Sequence, residues 1–164
     1  MINNVDIFQK NGPFQNYSDS INKILYSALD AADASDCVSV NLALSGSQLK
    51  IGNKTYLLYT DSRIFVIAIG KASLKMAKSV HDKLGEAINS GVIVCKHNPH
   101  KIKSIGRMQI MEASHPVPDE SSVAAARSVK NALSGLTEHD VVVLLVSGGG
   151  SALVCLPAEG ISLE

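Results

Sequence analysis

The chain has 164 residues, 46% of them hydrophobic, and its 15 basic and 15 acidic side chains balance to a formal net charge of zero. That length suits one α/β domain with a sizeable core. The composition argues against disorder, and the charge balance marks no nucleic-acid or anionic-membrane partner. Met1-Ile2-Asn3-Asn4-Val5-Asp6 lacks the charged start and apolar centre of a signal peptide, and no apolar run approaches the ~20 residues of a membrane helix. Cys37, Cys95 and Cys155 are odd in number and scattered, as suits reduced thiols, so a cytoplasmic protein is expected.

Residues 1–17 show no period and are expected to be a mobile arm. Ile21, Ile24, Leu25, Ala28, Leu29 and Ala32 keep helical spacing behind the capping candidates Ser18 and Ser20. A second, weaker helix is predicted from Ser35 to Leu44, and the alternation from Gln48 to Leu58 around Gly52-Asn53 predicts a β-hairpin decorating a sheet edge. Ile64-Phe65-Val66-Ile67-Ala68-Ile69 is a continuous apolar run, the mark of a strand buried on both faces. It ends in Gly70-Lys71-Ala72-Ser73 and passes into a helix with a stripe of Ala72, Met76, Val80 and Leu84.

Gly91 to Cys95 and Met108 to Met111 read as further strands. Pro116 and Pro118 hold the next segment extended before Asp119 caps a helix from Ser121 to Leu133. Val141 to Val146 is a second continuous run, again expected to be buried on both faces, and stops at Ser147-Gly148-Gly149-Gly150-Ser151. Strand, glycine turn and helix recur, so the fold class is α/β. A Rossmann-like, three-layer α/β/α arrangement is expected, with a mainly parallel sheet and the hairpin added. At the end, Ser162 precedes Glu164 as a helix cap would, which suggests a truncated protein.

Consecutive glycines remove every Cβ and permit positive φ, so backbone N–H groups can turn toward an anion, and Ser147 and Ser151 add hydroxyls. Such a loop at the carboxyl end of a buried strand stands where open α/β sheets bind ligands. Lys71 lies at a predicted helix start, where the macrodipole disfavours a cation by about 0.3–1 kcal/mol unless an anion is close. Neither glycine turn fits the Walker A or G-x-G-x-x-G pattern. His115, in Ser114-His115-Pro116-Val117-Pro118-Asp119, is a candidate to bind or position a substrate. Asp119 has the simpler job of capping its helix, with a ligand or metal role as the alternative. Cys95, His97 and His100 have metal-ligand chemistry but lack a fourth partner at matching spacing, so no metal site is assigned.

Ile69-Gly70-Lys71-Ala72, Ser114 to Asp119, Val146 to Leu153 and Gly160-Ile161-Ser162-Leu163, in that order, resemble the glycerate 2-kinase family, whose members carry a MOFRL-type second domain and include proteins labelled hydroxypyruvate reductases. The resemblance implies transfer of the γ-phosphoryl group of ATP to the 2-hydroxyl of D-glycerate, with a divalent cation such as Mg²⁺. It also implies an active-site role for Lys71 and ligand binding by Ser147, Gly148, Gly149, Gly150 and Ser151; Gly70 and His115 count with them as candidate phosphate-, nucleotide- or substrate-binding residues. Family members continue well beyond this point. Residues 18–164 are therefore expected to be the N-terminal part of that domain, without the MOFRL-type domain, and activity of this stretch alone is doubtful. A phosphosugar- or nucleotide-binding module is the competing reading. The expected partners are small molecules, and oligomeric state, a homo-oligomer included, stays open.

Overall fold

The computed structural model describes residues 15–163. The arm expected at 1–17 falls mostly outside them, and Gln15–Tyr17 form a 3-10 turn that leads into α1 (Ser18–Ala31). Ser18 and Ser20 lie inside α1 rather than capping it, and no α1 residue is buried. Asp33 caps α2 (Ala34–Asn41) by accepting from the Ser35 N–H at 2.7 Å. The predicted second helix stops three residues early, because Leu42–Ser45 forms strand β1 and pairs antiparallel with β2 (Gln48–Ile51). With β3 (Lys54–Leu57) the expected hairpin becomes a three-stranded meander, a sheet of its own rather than an extension of the main one. Its Leu42 and Leu49 reach into the core.

The main sheet has five strands in the order β6-β7-β5-β4-β8. These are β4 (Ile64–Ile69), β5 (Ile88–Cys95), β6 (Ser104–Ile105), β7 (Met108–Glu112) and β8 (Val141–Val146). All pairings are parallel except β6 with β7. Helix α3 (Ser73–Leu84) follows β4 and packs its Ala77, Val80 and Leu84 on the face formed by Ile64, Val66 and Ala68. Helix α4 (Glu120–Ala132) follows β7 and covers the other face, where Ala125 joins Ile67, Val92 and Val94. Three layers result, as the alternation of strand, turn and helix requires.

The two continuous apolar runs have different fates. β4, the penultimate strand, is buried on both faces along Ile64 to Ala68. β8 is an edge strand, and the expectation of burial on both sides fails for it. Val141, Val143 and Leu145 pack toward α3, but Val142, Leu144 and Val146 are 37%, 60% and 64% exposed. The side chains are equally apolar in both runs; among the described residues β8 has no second neighbouring strand, and α4 covers the sheet over β5 and β7 instead.

Chain order places the ligand crevice. From β4 the chain moves through α3 to β5 on one side, and from β7 it returns through α4 to β8 on the other side of β4. The carboxyl ends of β4 and β8 therefore flank a topological switch point, where loops diverge and leave a cleft.

Candidate functional site

Two glycine turns meet at that switch point. The Lys71 N–H donates to the Gly148 carbonyl at 3.0 Å, and the Ser147 N–H donates to the Ile69 carbonyl at 2.9 Å. The Ser147 hydroxyl accepts from the Ala72 N–H at 3.0 Å and so is spent on joining the turns. Gly70 has φ +120, and any Cβ there would overlap the Ser147 hydroxyl and carbonyl. Gly70 and Ser147 thus form a clasp that brings the turns together, while the parts that face outward come from their neighbours.

Those parts are Lys71, Gly149, Ser151 and His115. Gly149 has the left-handed φ of +91 and serves as N-cap of α5 (Gly150–Leu153), a single turn. A Cβ on Gly149 would lie 2.8 Å from His115 Cδ2 and 3.5 Å from Lys71 Cε, so an imidazole and the stem of a lysine converge on one backbone atom. His115 follows β7, two strands from β4, and its loop must cross the end of β5 to arrive. Its Nδ1 is buried without a hydrogen-bond partner among the described residues. The His115–Pro116 peptide is cis.

The remaining candidates divide by geometry. Gly148 is exposed, with open space where a Cβ would go, and contributes its carbonyl. Gly150 would place a Cβ 3.3 Å from Ile69 Cγ2, a packing position beneath the loop. Ser151 is exposed on α5. Asp119 caps α4, accepting from the Ser121 N–H at 2.8 Å, while the Ser122 hydroxyl accepts from the Asp119 N–H at 3.3 Å. The Ser121 hydroxyl, with the Ser121 and Ser122 N–H groups, holds the Asp119 carboxyl below the usual carboxylate range. Cys95 is buried with its thiol toward the Met111 carbonyl at 3.6 Å, and burial pushes that thiol up. Among the described residues no three His, Cys, Asp or Glu side chains converge.

Sequence reasoning did not find the wall beyond Lys71. The α1–α2 connection borders a cavity of about 350 Å³ shared by Leu29, Asp33, Lys71 and Lys75. Asp33 pairs with Lys75 at 3.2 Å, and Ser35 together with Lys75 keeps its carboxyl well below the ordinary range. The cap motif Asp33-Ala34-Ser35 was visible as a type, but its docking beside Lys71 depends on the whole fold.

Fold and site together define a Rossmann-like α/β/α domain whose switch point carries a lysine, a histidine and a glycine-rich turn. Residues 20–164 match a family model described as a domain of unknown function, DUF4147. The chain is 45% identical over 102 residues to D-glycerate 2-kinase of Thermotoga maritima, covering 62% of this chain and 24% of that protein. It is 37% identical over 142 residues to glycerate 2-kinase of Pyrococcus horikoshii, covering 87% and 31%. A crystal structure of a Pyrococcus horikoshii protein superposes with a TM-score of 0.76 at 36% identity, over 86% of this chain and 31% of that one. The chain belongs to the DUF4147 family, and it spans about a quarter to a third of the length of these relatives.

Proposed function

We propose that this chain supplies the phosphate-handling part of a glycerate 2-kinase, in which ATP phosphorylates the 2-hydroxyl of D-glycerate to give 2-phosphoglycerate. The observation that carries the reading is the convergence of Lys71 and His115 on Gly149 at the switch point. The names of its relatives support the same activity. Phosphoryl transfer needs positioning and charge neutralisation more than covalent help. Lys71 brings an ammonium group to this point, and the turn into α5 at Gly149 has no side-chain cap hydrogen bond.

In the transfer, the glycerate hydroxyl oxygen bonds to the γ-phosphorus as the bond to the ADP oxygen breaks, and the hydroxyl proton passes to water. His115, whose ring borders Gly149, would orient the reacting groups there. Mg²⁺ would offset charge on the phosphates, a role suited to an ion held mainly by phosphate oxygens and water. The described residues fit such an ion only in that form, because no carboxylate cluster converges on the turns.

The test is titration of this chain with ATP, comparing it with Lys71→Ala and checking by circular dichroism that both are folded. Lys71→Ala should weaken binding at least tenfold. In a protein carrying this domain and turning over D-glycerate, the same change should lower kcat/KM by about two orders of magnitude, the effect of losing a transition-state charge contact. Unchanged binding and kinetics would remove Lys71 from the mechanism.

A further inference from the structure

His115 reaches the site half-buried from the loop after β7, and its two ring nitrogens have unlike surroundings. Nδ1 is closed off from solvent and has no hydrogen-bond partner among the described residues. Nε2 belongs to the edge that faces the glycine turn. It lies 3.0 Å from where a Gly149 Cβ would stand, with its neighbour Cδ2 at 2.8 Å and Lys71 Cε at 3.5 Å from the same point. Nδ1 sits across the ring from that edge.

The place of the ring proton follows from these surroundings. A neutral imidazole carries one N–H and one bare nitrogen, and the partners available decide which is which. A proton on Nδ1 would be a buried donor with no acceptor, an arrangement that folded proteins rarely keep and that costs free energy. A proton on Nε2 points instead to where an incoming ligand can accept it. The lone pair then resides on Nδ1, which no substrate hydroxyl can reach. The Lys71 ammonium likewise has donors and no acceptor. Both polar side chains gathered at Gly149 donate, so the ligand atom they meet must accept.

We infer that His115 holds a phosphoryl oxygen of ATP as an Nε2–H donor and is not the base that takes the glycerate hydroxyl proton, an inference that rests on the kinase reading above. A general base here would need its bare nitrogen at Nε2, within hydrogen-bond reach of the hydroxyl, and so would strand its own proton on the sealed Nδ1. An Nε2–H gives the anionic phosphoryl group a directional, charge-assisted hydrogen bond beside the lysine. Water is left to take the hydroxyl proton.

The first measurement is long-range proton–nitrogen correlation NMR of the isotope-labelled chain in alkaline buffer, which reads the tautomer of each of the five histidines. The His115 signals are those that vanish in His115→Gln. They should show the Nε2–H pattern, and inorganic tripolyphosphate should move the Nε2 signals without reversing the tautomer. The second measurement is calorimetric titration of the full 164-residue chain with ATP, with folding checked by circular dichroism. His115→Ala should weaken ATP binding about tenfold, the scale of one charge-assisted hydrogen bond. His115→Gln, which restores an N–H near the Nε2 position, should recover most of that loss, and His115→Asn, whose amide nitrogen falls near Nδ1, should not. In a protein carrying this domain and turning over D-glycerate, kcat should show the same recovery, because an amide cannot replace a base whose loss costs about 10²–10⁴. An Nδ1–H tautomer, tripolyphosphate binding that leaves the His115 signals unmoved, or His115→Gln as weak or as slow as His115→Ala would overturn the donor role and leave the phosphate reading standing. If neither tripolyphosphate nor ATP binds, the phosphate site falls and this inference falls with it.

Discussion

Among the glycines of the two turns, only some are demanded by space. Gly148→Ala should be nearly neutral in ATP binding, because a methyl there meets open solvent. Gly149→Ala must hold a left-handed φ and push against His115, so it should lose about 1–3 kcal/mol in stability and weaken ATP binding as His115 shifts. Gly70→Ala should be worse, since its methyl would enter Ser147 itself. Thermal melts and titrations of the three variants check this order, and equal behaviour of the Gly148 and Gly149 variants would refute it. The run of three glycines was legible in the sequence, but which of them matters was not. That depends on His115, 34 positions earlier in the chain, and no local pattern announces the encounter.

At the scale of elements, capping and charge set how the strands are presented to the site. Asp119 closes both ends of a capping box on α4, so Asp119→Ala should lower the Tm by about 2–4 °C, with Asp119→Asn closer to wild type. β4 and β8 begin at a second carboxylate, Asp140, which accepts from Arg63 at 2.6 Å and from the Thr137 N–H at 2.7 Å, and whose side chain is 1% exposed. The Arg63 guanidinium, followed by the Thr137 N–H, holds the Asp140 carboxyl well below the usual carboxylate range. The unfolded chain therefore takes up this proton first as pH falls, and the stabilisation is complete above about pH 4 and lost progressively below it. Asp140→Asn should lower the Tm at neutral pH and flatten its fall in acid, as melts across that range would show; an unchanged acid limb would exclude Asp140 as its source. Strands and helices with strong periods were readable in advance. β6 has two residues and leaves no pattern, and Leu42 to Leu44 reads as a helix end because the pairing of that stretch with β2 only becomes visible once the turn at Gly46 is formed.

For the whole molecule, strand order decides what composition could not. Val141 to Val146 is as apolar as Ile64 to Ile69, yet its place at the sheet edge leaves Val142, Leu144 and Val146 open on the α4 side. Leu144→Lys should leave the Tm unchanged and reduce light scattering at high concentration, because contiguous exposed apolar surface promotes association. A large loss of Tm would show that Leu144 is buried in solution.

The same edge position governs when the site exists at all. Among the described residues β8 pairs with β4 alone, and the Gly148 and Ser147 contacts to Lys71 and Ala72 hang from its end. β8 can therefore peel from β4 in a partial opening that leaves β4, β5, β7 and both main helices in place, and the cradle would come apart while most of the core persists. Amide hydrogen exchange would register this as faster deuteration at β8 and the Ser147 N–H than at β5, with ATP slowing exchange in that segment selectively. The phosphate cradle would then be less durable than the core beneath it, assembled and lost with one strand.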